Sequence, residues 1–367
     1  DNIITMMYND IAYNNENPYP GQIFNYPNGS DVYNDVRIDY QGNNVTAEHF
    51  IAVLKGNDSA VPSGLPVLKS KKNDDVFIYY SDHGATGIVA MPYGPPLYAN
   101  DLNNALNYMY QHNMYKNLLF YLEACESGSM FNNILKTNTN IFATTAATPD
   151  ESSYAIYYNE TIGTYLADEY SIDWMMDTIN YWNDTETLLT QYNDLTHVVK
   201  QSHPQKYGDL NIDNDTVKEF QSYKDNLFKI NNEYGNQFNP YFIPNDSVNS
   251  RNVKLYSLQN KWLNTNNEND KEYYQILIER EISLRVEAEL LFTELIKLVI
   301  HYNEYINDSN DIDALILKYM WSYPNEITEW KCLKDAYNLI NNECMKFNDF
   351  SIQFTRVLVN ICQNTPM

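Results

Sequence analysis

Short apolar runs alternate with polar, helix-compatible stretches through the first half of the chain. Val76-Phe77-Ile78-Tyr79-Tyr80 follows the polar turn Lys72-Asn73-Asp74-Asp75, and Leu118-Leu119-Phe120-Tyr121-Leu122 follows a stretch over 100–111 that reads as a helix. Both runs are continuous rather than alternating, with β-branched or aromatic members, as in strands buried on both faces of a mostly parallel sheet. Ile141-Phe142-Ala143-Thr144-Thr145 continues the rhythm, and Ile3-Ile4-Thr5-Met6-Met7 near the start has the same character. Strands that alternate with helices predict an α/β domain.

The second half is patterned differently. Over 207–267 the chain is polar, dotted with aromatic residues and only weakly periodic, and it reads as an irregular connector. Over 273–302, Ile278, Ile282, Val286, Leu290, Phe292, Leu295, Leu298 and Val299 recur at helical spacing between Glu and Arg. That is the signature of a long amphipathic helix. Further helical patterning over 312–319, 331–341 and 350–361 predicts a small all-α bundle. The expected division is therefore a first domain over 1–206, a connector over 207–267 and a helical domain over 268–367. No internal repeat is visible, and no apolar run reaches the roughly 18 residues that a membrane-spanning helix needs.

Composition narrows the function classes. At 367 residues, with 44% hydrophobic and 14% aromatic residues, the chain carries enough apolar material for two cores. A net charge of -24 argues against nucleic acid as a partner, because phosphate contacts need Lys and Arg; a solubilising acidic surface is the simpler reading. The charge is uneven. Residues 1–206 hold 9 Lys/Arg against 24 Asp/Glu, residues 207–267 hold 6 against 7, and residues 268–367 hold 9 against 17. Two acidic domains thus flank a nearly neutral link.

Cys125 stands alone, while Cys332, Cys344 and Cys362 crowd near the end with no nearby His, which suggests disulfides more than zinc. One of the three then lacks an intrachain partner, unless Cys125 supplies it or the chain continues past Met367. Asn-x-Ser/Thr sequons at Asn28, Asn44, Asn57, Asn159, Asn183, Asn214, Asn245 and Asn307 add weak support for secretion. The sequence opens on Asp1, so a signal segment is expected to lie outside it.

His83 and Cys125 each fall just after a predicted buried strand, where open parallel sheets bind ligands. Small residues flank both, in Ser81-Asp82-His83-Gly84 and Cys125-Glu126-Ser127-Gly128-Ser129, leaving backbone N–H groups open to a substrate carbonyl. Such donors can hold the oxyanion formed when a thiolate attacks an amide. Against this, a lone Cys after a strand is ordinarily a buried small hydrophobe, and a lone His near a turn is ordinarily structural. Tyr79 and Tyr80 read as core or cleft wall, and His49, His112, His197, His203 and His301 have no comparable setting.

Longer segments carry a resemblance. Tyr121-Leu122-Glu123-Ala124-Cys125-Glu126-Ser127-Gly128-Ser129-Met130 resembles the nucleophile segment of the legumain (asparaginyl endopeptidase) family. Phe77-Ile78-Tyr79-Tyr80-Ser81-Asp82-His83-Gly84 resembles its histidine segment, with further likeness at Met6-Met7-Tyr8-Asn9-Asp10-Ile11-Ala12, Asn28-Gly29-Ser30-Asp31-Val32-Tyr33, Ala143-Thr144-Thr145-Ala146-Ala147, Glu151-Ser152-Ser153-Tyr154 and Tyr170-Ser171-Ile172-Asp173-Trp174. The resemblance implies a caspase-like α/β sandwich and cleavage after Asn, with Asp accepted at lower pH. It implies Cys125 as nucleophile, His83 as general acid/base, the N–H groups of Gly84 and Cys125 as oxyanion hole, and Glu123, Ser153 and Asp168 as the specificity pocket. An Asn side chain offers both a donor and an acceptor, and acidic Glu123 and Asp168 would receive the donor.

The C-terminal part resembles the family's helical prodomain, which implies an intramolecular inhibitor released by self-processing at acidic pH. Trp262-Leu263-Asn264-Thr265-Asn266-Asn267-Glu268 lines up with the family's processing segment and places cleavage after Asn266. The likeness pairs Cys332 with Cys362 and leaves Cys344 without its partner. The family's first strand, with the pocket's arginine, a neighbouring histidine and an asparagine that orients the catalytic histidine, is absent from the sequence. A fragment of a longer protein is the expectation; an inactive relative serving as a binding or storage protein is the other reading. Expected partners are protein and peptide substrates with exposed Asn, and the expected location is a lysosome, a vacuole or the exterior. Transpeptidation is a variant of the same chemistry, and neither a metal nor a cofactor is expected. The subunit of GPI-anchor transamidase shares the His and Cys layout but fits less well beyond Cys125. Because both domains are acidic, any prodomain latch should rest on local contacts rather than on whole-domain attraction.

Overall fold

In the computed structural model, which describes residues 2–9, 11–181, 185–221, 246–302 and 311–364, a four-stranded sheet carries the first domain. Its strands β1 (Val76–Ser81), β5 (Leu118–Glu123) and β6 (Ile141–Thr145) run parallel, and β9 (Gln205–Gly208) pairs antiparallel with β6, giving the order β1-β5-β6-β9. A small antiparallel sheet, β2 (Gly84–Ala85), β3 (Ile88–Val89) and β4 (Leu97–Tyr98), follows β1 directly. A third sheet joins β7 (Tyr154–Asn159), β8 (Thr164–Asp168) and β10 (Val248–Asn249).

The continuous apolar run of β5 is explained by burial on both faces. Leu118, Phe120 and Leu122 pack with Phe50 and Leu54 of α1 (Ala47–Leu54) and with Leu102, Leu106 and Met109 of α2 (Ala99–Gln111). Leu119 and Tyr121 turn to the other face, against Tyr170 and Trp174 of α3 (Glu169–Tyr181) and Leu188 and Leu195 of α4 (Leu188–Val198). The result is the expected α/β sandwich with a mostly parallel centre.

Two expectations need correction. Ile3-Ile4-Thr5-Met6-Met7 does not form a strand of the sheet; Met6 makes only an isolated bridge to Tyr40. Its apolar positions do not face a core on both sides, since Ile4 and Met6 pack beside Tyr40 while Ile3 is 69% exposed. The segment over 207–267 is not uniformly irregular either. It holds the short helix α5 (Val217–Phe220), the strand β10 and the helix α6 (Val253–Asn264), and Ile212 and Val217 are buried in the sandwich. The weak periodicity arises because these elements are short and each buries few side chains. Residues 222–245 lie outside the described residues, as do the sequons at Asn183, Asn245 and Asn307; Asn28, Asn57 and Asn214 are exposed.

The long amphipathic pattern forms α7 (Glu268–Tyr302), followed by α8 (Ile312–Trp321), α9 (Trp330–Leu339) and α10 (Thr355–Asn364). Phe292, Ile296, Leu333, Val357 and Val359 form their shared core, and Ala85, Ile88 and Tyr98 of the small sheet belong to it. The turn between β2 and β3 carries Gly87 at φ +74°, where an added Cβ would press into Ile327 and Trp330. The helical domain is thus packed onto the hairpin that follows His83. Cys332 and Cys362 are disulfide-bonded and tie α9 to α10, while Cys344 is free and exposed. No helix among the described residues is long and apolar enough to cross a membrane.

Candidate active site

Parallel register aligns the ends of two strands. Ser81 of β1 pairs with Glu123 of β5, and the Asp82 N–H donates to the Glu123 carbonyl at 3.2 Å. His83 and Cys125 each follow those paired ends by two residues, so both emerge at the carboxyl edge of the sheet. They line one pocket with Ser81, Asp82, Glu123, Ser153, Asp168 and Ser250. Every pocket residue expected from the sequence is therefore gathered in one place.

Several contacts hold the loop after β5. The Ala147 N–H donates to Ser127 Oγ at 3.0 Å, the Gly128 N–H donates to the Ala147 carbonyl at 3.1 Å, and the Glu126 N–H donates to the Glu151 carbonyl at 2.7 Å. Glu126 adopts a left-handed backbone at φ 54°, a conformation that non-glycine residues keep only when their surroundings enforce it. Gly84 lies so close that an added Cβ would overlap the Cys125 carbonyl oxygen and come within 2.8 Å of Ala124 Cβ. That approach is open to glycine alone. Cys125 Sγ is 3.6 Å from Ser153 Oγ and accepts from the Ser153 N–H at 3.4 Å.

Glu123 is the electrostatic centre of the pocket. It is 2% exposed, and its Oε2 accepts from the N–H and the hydroxyl of Ser171, both at 2.8 Å. Its Oε1 is buried and has no hydrogen-bond partner among the described residues. Burial, reinforced by the charge of Asp168, holds the Glu123 carboxyl well above the usual carboxylate range. Burial also raises Asp168 to about 6, opposed by His83 and by the Ser250 hydroxyl. Desolvation likewise raises Asp82, whose Oδ1 accepts from the His83 N–H at 2.6 Å. Two adjacent acids that resist double ionisation can present one hydroxyl donor and one carboxylate acceptor together.

Residues from the second half of the chain close this cleft, and the sequence reading missed all of them. Strand β10 pairs antiparallel with β7, Val248 opposite Ala155 and Asn249 opposite Tyr154, and the Ser250 N–H donates to the Ser153 carbonyl at 3.0 Å. Ser250 Oγ lies 3.2 Å from Ser153 Oγ and donates to Asp168 Oδ1 at 3.4 Å. An extended segment added to a sheet edge is a general mode of peptide recognition. Asp349, in the turn before α10, places Oδ1 3.5 Å from His83 Nε2. Arg356 of α10 donates to Glu126 Oε1 at 2.6 Å, and Arg251 approaches the same oxygen at 3.4 Å. Lys334 pairs with Asp101 at 2.7 Å at the rim. The two acidic halves are thus joined by single opposite charges. Asn266 lies exposed in the short link between α6 and α7.

Comparison with known proteins covers nearly the whole chain. The sequence model of the peptidase C13 family matches residues 1–223, and that of the legumain prodomain matches residues 300–366. A hemoglobinase of Schistosoma japonicum is 38% identical over 366 residues, covering 99% of this chain and 81% of the relative. A legumain of Homo sapiens is 37% identical, with 99% and 81% covered, and a vacuolar-processing enzyme delta-isozyme of Arabidopsis thaliana is 35% identical, with 99% and 79% covered.

Proposed function

The chain belongs to the peptidase C13 family and is a legumain-like cysteine peptidase, and on that footing we propose that it cleaves peptide bonds after asparagine and is made as a self-processed zymogen. The observation that carries the specificity is the carboxyl pair of Glu123 and Asp168 beside Cys125, with Glu123 Oε1 buried and unpartnered. Protonated at that oxygen, Glu123 donates to the carboxamide oxygen of an Asn side chain, while the Asp168 carboxylate accepts from its NH₂ group. An apolar side chain would leave both acids unpaired, a loss that discriminates strongly.

The chemistry follows from the same positions. His83 takes the Cys125 thiol proton, and the thiolate attacks the carbonyl carbon of the bound Asn. The N–H groups of Gly84 and Cys125 hold the resulting oxyanion. Collapse breaks the C–N bond, His83 gives its proton to the departing amine, and a thioester remains. Water, deprotonated by His83, releases the acid; an incoming amine would instead form a new peptide bond. In the zymogen, β10 lies where a substrate strand would add, with the Ser250 hydroxyl at Asp168. Residues 268–367 then act as the inhibitory prodomain, in an acidic lysosome- or vacuole-like compartment.

Two measurements test this reading. Paired peptides with Asn or Asp before the cleaved bond should diverge with pH. An Asp side chain ionises above about pH 4 and then meets the Glu123–Asp168 pair as a like charge. Its kcat/KM should fall by up to about tenfold per pH unit above that point, while the Asn peptide holds its rate until Glu123, which must stay protonated to donate, begins to ionise. Parallel profiles for the two peptides would reject the acidic pocket. For processing, acid treatment should expose Asn267 as a new N-terminus, and Asn266→Gln should leave that bond intact. A different new terminus would reject the site.

A further inference from the structure

We infer that Glu126 is a specificity-determining residue on the leaving-group side, selecting a basic side chain immediately after the cleaved bond. The inference rests on the proposed reading of Cys125 as nucleophile and of the Glu123–Asp168 pocket as the Asn site. Ser250 lines that pocket with its hydroxyl turned to Asp168, and its N–H bonds the Ser153 carbonyl as the peptide before a cleaved bond would. The next residue, Arg251, therefore stands where the first residue of the leaving peptide would stand. Its Nη2 donates to the Gly84 carbonyl at 2.9 Å and lies 3.4 Å from Glu126 Oε1. Arg251 is only 4% exposed, so the subsite is enclosed.

What Glu126 keeps once the C-terminal parts depart points the same way. Its carboxylate takes Arg251 from the segment after β10 and Arg356 from α10, whereas the peptidase domain supplies the Thr86 hydroxyl, 3.3 Å from Oε2. Arg356 leaves with the prodomain after the cut before Asn267, and Arg251, which stays on the chain N-terminal to that cut, has to swing out of the cleft with β10 before a substrate can enter. A carboxylate beside the nucleophile is then left without a cationic partner among the contacts described, and with the Gly84 carbonyl as a second acceptor beside it. A substrate Arg or Lys restores the charge-assisted bonds, whereas an Asp there would repel. One nitrogen of Arg251 makes both contacts and its Nη1 has no hydrogen-bond partner among the described residues, so an ammonium can serve as well as a guanidinium.

The test uses acid-activated protein and quenched-fluorescence peptides that share one Asn and differ only in the following residue, Arg, Lys, Gln or Asp. Arg and Lys should exceed Gln in kcat/KM by about tenfold, a charge-assisted bond reduced by solvent in an open cleft. Asp should fall below Gln. In Glu126→Gln the Arg-to-Gln ratio should drop to about one or two, on the same grounds. An additional peptide carries its Arg several residues further on, to report attraction by the overall negative charge. Equal rates for Arg, Gln and Asp would overturn the inference, and so would an equal gain from the distant Arg. Both readouts need only the wild-type protein, so a misfolded variant does not rescue the idea. Loss of all turnover, including that of an Asn coumarin amide with no residue after the bond, would instead count against the proposed function.

Discussion

Cys125→Ala protein will fold and will cleave Asn peptides at least about 10⁴-fold more slowly than wild type, because nucleophile and base act as a unit in such sites. His83→Ala should cost nearly as much, and the double variant little more than either alone. Folding should survive the first change. Cys125 is 1% exposed and contacts Ser153, so removing one sulfur costs about 1 kcal/mol of packing. Steady-state turnover beside a thermal melt separates the two effects. Undiminished turnover in Cys125→Ala, with a normal melt, would place the nucleophile elsewhere.

The second large effect concerns the closed state. Arg356 and Glu126 are 8% and 5% exposed, and their bond is 2.6 Å long. Removing one partner of a buried pair leaves the other charge stranded, which costs about 3–5 kcal/mol. Arg251 remains beside Glu126 at 3.4 Å, so the loss should sit at the low end. In an Asn266→Gln background, which keeps the precursor whole, Arg356→Ala should raise turnover at neutral pH by about 100-fold. Lys334→Ala removes a pair that is about one-third exposed on each side, with Asp101, and should raise it by no more than about fivefold. Equal effects from the two variants would mean that the latch is spread over the whole interface rather than centred on Glu126.

These contrasts bear on how much could be read without a structure. The sandwich was legible because its strands are buried on both faces and announce themselves as continuous apolar runs. Leu118 to Leu122 needed no partner to look like a core strand. Cys125 and His83 were legible as reactive side chains at strand ends, and the resemblance of the flanking motifs to the family supplied the roles proposed for them. Ile3-Ile4-Thr5-Met6-Met7 misled for the same reason that β5 did not: an apolar run does not say whether two layers exist to cover it. The helix α6 was missed because Ser257 alone of its residues is buried, which leaves little periodicity to detect.

Ser250, Arg251, Asp349 and Arg356 lie on polar or locally unremarkable stretches, and no pattern marks them as neighbours of Cys125. Parallel pairing of β1 with β5 made the expected pair share an edge. Strand addition of β10 to β7, and packing of α10 over the small sheet, then brought in the rest. By itself, the sequence determined the layer architecture and set two reactive side chains at strand ends, because burial is written in neighbouring residues, while the nucleophile, base and acidic pocket proposed here came from the resemblance of longer motifs to the family. Only the tertiary structure decided which distant charges close the cleft and which carboxylate, Glu126, takes Arg251 and Arg356. Contacts between residues far apart in the chain are set by how whole elements pack, and packing leaves no short-range signal.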